Sequence, residues 1–84
     1  MTPEQIKTQT RAFVTENFVL GPAAGAFADG DSFMDLHLID STGFLELITH
    51  LEERYGIVVE EEEIVPENLD SLDAIAGFVT RKLG

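Results

Sequence analysis

The chain of 84 residues contains no cysteine and no tryptophan. Without a thiol there is no disulfide framework, no thiolate zinc site and no cysteine nucleophile. Basic residues are also scarce: five Lys and Arg stand against sixteen Asp and Glu, a formal charge of −11. So acidic a chain argues against nucleic acid or an anionic membrane surface as partner, and points to basic protein surfaces or cations. Long hydrophobic runs are missing. The longest near-apolar stretch, Val19 to Ala28, contains Gly and Pro and is too short to span a bilayer. The start Met1-Thr2-Pro3-Glu4-Gln5 lacks the basic and apolar segments of a signal peptide, so a cytoplasmic location is expected.

What is present suits one small folded domain over residues 1–84, expected as a monomer. Leu, Ile, Val and Phe number 27, too many for a disordered chain. A domain of this size buries only about 60–65% of its unfolded surface. It has little room for a deep catalytic cleft, which disfavours most enzyme classes. The acidity is concentrated. Residues 40–73 hold eleven acids and only Arg54, a net −10, while residues 74–84 carry Arg81 and Lys82.

Apolar spacing predicts helices and no sheet. Thr2 caps the first, Pro3 takes its first position and Gln5 completes a capping box. Ile6, Phe13, Val14 and Phe18 form its stripe, and Gly21-Pro22 ends it. Residues 19–39 form a long connection packed by Phe27, Phe33, Leu36 and Leu38, with a helical turn expected over residues 31–36. Asp40 opens the clearest helix. Phe44, Leu47, Ile48, Leu51 and Tyr55 share one face, and Gly56 stops it. Ile57-Val58-Val59 has no partner strand and reads as a buried connector. Glu60 to Ile64 make one turn, with Pro66 ending it. Asp70 or Ser71 caps the last helix, with Leu72, Ile75, Ala76, Val79 and Leu83 facing inwards. The expected fold is an all-α, four-helix bundle with one short helix and a long first loop.

The most informative residues are Asp40 and Ser41. With Asp40 as N-cap, its carboxylate accepts from free N–H groups of the first turn. Ser41 then takes the first helical position, its hydroxyl not consumed by capping. The free N–H groups and helix dipole favour an anion there by about 0.3–1 kcal/mol.

Asp40-Ser41 followed by Phe44-Leu45-Glu46-Leu47-Ile48, Leu51-Glu52-Glu53 and Tyr55 resembles the acyl carrier protein family. Ser32-Phe33 with Asp35-Leu36, the acidic stretch from Ile57 to Ile64, and Leu72-Asp73-Ala74-Ile75-Ala76 resemble its flanking segments, so the similarity covers essentially the whole chain. It implies an acyl-carrier-like four-helix bundle that is not an enzyme. It also implies a 4′-phosphopantetheine arm, donated from coenzyme A and covalent at Ser41, whose thiol holds acyl or aminoacyl groups as thioesters. A cofactor would thus supply the sulfur that the chain lacks. A second Asp-Ser pair, Asp70-Ser71, is followed by only 13 residues, too few for a recognition helix and a closing helix. The chain departs from the family pattern at Leu38, Thr42, Gly43 and Arg54. Leu-Ile before Asp-Ser resembles discrete carriers in specialised lipid, polyketide or peptide pathways rather than primary fatty acid synthesis. The implied partners are a phosphopantetheinyl transferase and an adenylate-forming acyl or aminoacyl ligase, or synthase and transferase enzymes with basic patches.

Helical rotation places Glu46, Thr49 and Glu53 away from the apolar face. Leu45 lies one turn after Ser41, flanked by Glu52, and suits either the rim of the core or a dry partner contact. Leu45, Glu46, Thr49, Glu52 and Glu53 form the candidate partner surface. A calcium loop from Asp29, Asp31 and Asp40 is disfavoured, because Phe33 and Met34 fall where an oxygen ligand and a glycine are needed. A Ser–His hydrolase is disfavoured too. His50 would stand about 13 Å along the helix from Ser41, and both His37 and His50 are expected at the surface or in loops. The serious alternative is an unmodified acidic helical module that binds a basic partner.

Overall fold

The first helix, α1 (Pro3–Asn17), starts as the capping pattern predicts. The Thr2 N–H donates to Gln5 Oε1 at 2.9 Å, and the Gln5 N–H donates to Thr2 Oγ1 at 3.2 Å. Among the described residues three further helices follow: α2 (Ser41–Tyr55), the four-residue α3 (Pro66–Leu69) and α4 (Leu72–Leu83), with a 3-10 turn over Glu61–Glu63 before α3. The computed structural model describes residues 2–17, 27–35 and 39–84. No strand occurs among these described residues, and the architecture is a small helical bundle with one short helix. Phe18, Gly21-Pro22, Leu36, His37 and Leu38 lie outside them.

The core follows from the helical stripes. Ile6 and Val14 of α1, Leu47 and Leu51 of α2, Leu69 of α3, and Leu72, Ile75 and Val79 of α4 are buried together with Phe33. α1 packs most extensively on α4. Phe33 meets Phe27 edge-on with ring centroids 5.8 Å apart, and meets Phe44 of α2 at 6.4 Å. The long connection is thus anchored by two of its expected aromatic residues.

Bonds to other elements hold the described part of that connection, residues 27–35. The Phe33 N–H donates to the Asp70 carbonyl at 2.9 Å and the Met34 N–H to Asp70 Oδ1 at 3.0 Å, while the Ser32 hydroxyl donates to the other carboxylate oxygen. At its other end, Arg11 donates to the Phe27 carbonyl at 2.6 Å and to Asp29 Oδ1 at 2.7 Å. Lys7 lies 3.5 Å from Asp29, 3.3 Å from Glu4 and 3.1 Å from Asp73. The Arg11 guanidinium holds the Asp29 carboxyl below its ordinary range, and the bonds to Asp73 and Glu4 push the Lys7 ammonium up.

Residues 33–35 form a turn within the expected span, with their N–H groups bonded to Asp70 and Ser32, and residue 36 lies outside the described residues. Several details correct the sequence reading. Val58 is exposed, because an extended chain alternates its side chains and only Ile57 and Val59 point towards the core. Pro66 begins α3 instead of ending the preceding turn; at the first helical position its missing N–H costs nothing. Leu83 is exposed in the final turn. Phe78, absent from the expected inward face, is buried on α4.

All five basic side chains are engaged within the chain. Besides Lys7 and Arg11, Arg54 Nε donates to Gln9 Oε1 at 3.3 Å, Arg81 to Asn68 Oδ1 at 3.2 Å, and Lys82 Nζ to Glu63 Oε1 at 2.9 Å. The Lys82 bond, with the Glu60 N–H, keeps the Glu63 carboxyl below its ordinary value.

Phe33→Ala removes a fully buried ring at the meeting point of the loop and α2. It should lower stability by about 3–5 kcal/mol, read from urea unfolding followed by circular dichroism. A loss below about 1 kcal/mol would mean that the ring does not anchor the loop.

Candidate functional site

The candidate site is built on the start of α2. Asp40 is extended (φ −93°, ψ −176°), and its Oδ1 accepts from the Gly43 N–H at 2.7 Å. Its carbonyl accepts from the Phe44 N–H at 2.9 Å, the first intrahelical bond. Asp40 is therefore the N-cap, and Ser41 is the first helical residue, as the spacing predicts. The far end is fixed by Gly56, whose left-handed conformation (φ 68°) lets its N–H close on the Glu52 carbonyl.

The outward side of α2 carries most of the expected surface. Leu45 is 62% exposed, which settles its open assignment in favour of the surface. Glu46, Thr49 and Glu53 are exposed, and the Thr49 hydroxyl donates back to the Leu45 carbonyl at 3.0 Å. Glu52 differs from its neighbours. It is half-buried, and its Oε2 accepts from the Val59 N–H at 3.0 Å, fastening the extended segment after α2. One of its oxygens is thus committed within the chain.

Leu45 forms a ridge between two grooves. On the α3 side an apolar groove of about 330 Å³ is lined by Met34, Phe44, Leu45, Ile48, Ile64 and Leu69 among others. Met34 is 54% and Ile64 42% exposed, so three large exposed apolar side chains surround this one groove. Scattered exposed apolar residues are ordinary, whereas a contiguous set marks a contact or ligand surface. On the α1 side a more polar groove of about 450 Å³ is lined by Phe13, Asn17, Thr42, Leu45, Glu46 and His50 among others.

The second Asp-Ser pair is occupied. Ser71 caps α4, its Oγ accepting from the Ala74 N–H at 3.0 Å, and Asp70 holds Ser32 and Met34. The three carboxylates of the disfavoured calcium loop do separate work. Asp29 pairs with Lys7 and Arg11, Asp31 accepts from the Ala28 N–H at 2.8 Å, and Asp40 caps α2. His50 is not the surface residue expected from the sequence. It is half-buried, with its ring stacked on Phe13 (centroids 4.0 Å apart, planes 12° apart). Spacing along α2 carries no sign of this contact, because its partner lies on α1.

Asp40→Ala leaves the first-turn N–H of Gly43 without its acceptor. It should cost about 0.5–2 kcal/mol, seen as a lower urea midpoint with an unchanged slope. An unchanged midpoint would show that the cap bond does not hold the start of α2.

Searched against protein-family models and against curated proteins, the chain returns no match.

Proposed function

We propose that the chain is an acyl carrier, with Ser41 bearing a 4′-phosphopantetheine arm. The observation that carries this reading is the cap geometry: Asp40 takes the capping role, which leaves Ser41 at the head of a helix with an exposed apolar groove one turn away. In the attachment, the Ser41 hydroxyl displaces the nucleotide half of coenzyme A and becomes a phosphodiester. The local chemistry fits that group. The N–H groups of Ser41 and Thr42 belong to a first turn in which the helix supplies no carbonyl partner. The Asp40 carboxylate, which would otherwise repel the phosphodiester, is directed onto Gly43. The arm supplies a thiol on which acyl or aminoacyl groups are held as thioesters.

The apolar groove supports an aliphatic acyl group as cargo. Its volume lies at the lower end of the range for small-molecule sites, and a cavity of about 150 Å³ already holds benzene. Phe44, Leu45 and Ile48 bring one wall of the groove to the helix that begins at Ser41. Tethering the cargo there raises its local concentration when the carrier docks.

The acidic face supports partners with basic patches: a phosphopantetheinyl transferase first, then an adenylate-forming ligase or synthase and transferase enzymes. Glu46 and Glu53 point outwards, while every basic side chain of the protein is engaged internally. Complexes formed this way are weak, fast and salt-sensitive. The same face would serve an unmodified interaction module, which needs no arm.

Incubation with coenzyme A and a broad-specificity phosphopantetheinyl transferase separates the two readings. Mass spectrometry should show the gain of one arm in the wild type and in Ser71→Ala, and none in Ser41→Ala. No gain in the wild type would leave the interaction module, and a gain abolished only by Ser71→Ala would move the site to α4. The double variant Glu46→Lys/Glu53→Lys should load more slowly at low salt, with the difference shrinking as salt is raised. Equal loading rates at low salt would remove the steering role of these acids.

A further inference from the structure

The α1–α2 groove is floored by a histidine that the carrier reading does not use. His50 projects from α2 and stacks face to face on Phe13 of α1. Its Nε2 is buried and has no hydrogen-bond partner among the described residues. The other bonds between these helices are few: the Tyr55 hydroxyl donates to Gln9 Oε1 at 2.8 Å, beside the longer Arg54 bond. The stack is therefore one of the contacts that join α1 to α2.

We propose that His50 is a proton-sensitive latch, holding α2 to Phe13 of α1 beneath this groove when neutral and releasing it when protonated. A neutral ring can lie with an unpartnered Nε2 lone pair in an apolar contact. A protonated ring places an N–H and a positive charge at the same buried point, with no acceptor among the described residues to receive them. Stacking on Phe13 favours the charged ring, but the buried charge outweighs it. Burial, reinforced by Arg54 and opposed by Glu53, holds the imidazole below its ordinary value of 6.5. Phe13 and Asn17, which face the groove from α1, are uncharged, and residues 18–26 carry no ionisable side chain. The carboxylates that would receive the released imidazolium are Glu46 and Glu53, which line the same groove. The sign follows directly. The open form binds the proton more readily than the closed one, so closure is complete above about pH 6.5 and weakens as the pH falls below it. Release widens a groove bordered by Thr42 and Leu45, beside the start of α2.

The test uses two variants of the full chain. His37→Gln leaves His50 as the sole imidazole, and its proton resonances should titrate below 6.5. In the wild type, amide exchange corrected for intrinsic rate should lose up to about tenfold of its protection around residues 46–50 between pH 7.5 and 5.5, a limit set by the ordinary histidine value. His50→Phe, which keeps a stacking ring without a proton site, should lose none. Titration of His50 at or above 6.5, or the same loss in His50→Phe as in the wild type, overturns the proposal. The first readout stands even if His50→Phe fails to fold.

Discussion

Asp70 is the residue on which the two halves of the fold converge. Its backbone carbonyl and both carboxylate oxygens receive the Phe33 N–H, the Met34 N–H and the Ser32 hydroxyl. A loop of this length carries many polar backbone groups, and burying Phe33 within it is favourable only if those groups find partners. Asp70 provides them at the junction of α3 and α4, and Phe33 can then reach Phe27 and Phe44. A few residues earlier, the Asp73 N–H donates to the Asp29 carbonyl at 3.0 Å, next to the Lys7 and Arg11 ion pairs. Residues 27–35 thus become part of the core's wall.

The parts of the fold legible in the sequence are those set by local chemistry. The Thr2–Gln5 box, Asp40 as cap and Gly56 as stop depend on residues within a few positions of one another, and each occurs as expected. Pro66 was ambiguous for a local reason as well: a residue without an N–H suits the end of one turn and the beginning of the next helix. Alternation alone could have placed Val58 outwards. The fastening of the loop to Asp70 was not legible, because its partners are 36 to 38 positions apart. Of the candidate site, Asp40's role and the exposure of Glu46, Thr49 and Glu53 follow from helix geometry, whereas Leu45, at the margin of the apolar face, was placed only by the structure. The bond that engages Glu52, the groove edged by Met34 and Ile64, and the Phe13–His50 stack each need a second element brought alongside α2.

α2 presents unlike surfaces on the two sides of Leu45. Towards α3 lies an apolar trough, and towards α1 a groove bordered by Thr42 and Glu46 with an aromatic floor. A helix with one buried stripe needs only one apolar side. The additional exposed apolar residues add nothing to the core, and their clustering near the head of α2 is what distinguishes this face from the rest of the surface.

The engagement of all five basic side chains has a consequence for the whole molecule. Lys7, Arg11 and Lys82 pair with carboxylates, while Arg54 and Arg81 bond neutral amides, so most of the remaining carboxylates face solvent in excess of the cations and repel one another. Added salt screens that repulsion and firms the free protein, but it also screens attraction to any basic partner. Stability and association therefore respond to ionic strength in opposite directions. In dilute buffer the free protein is least secure, and there a basic partner would supply the missing counter-charge.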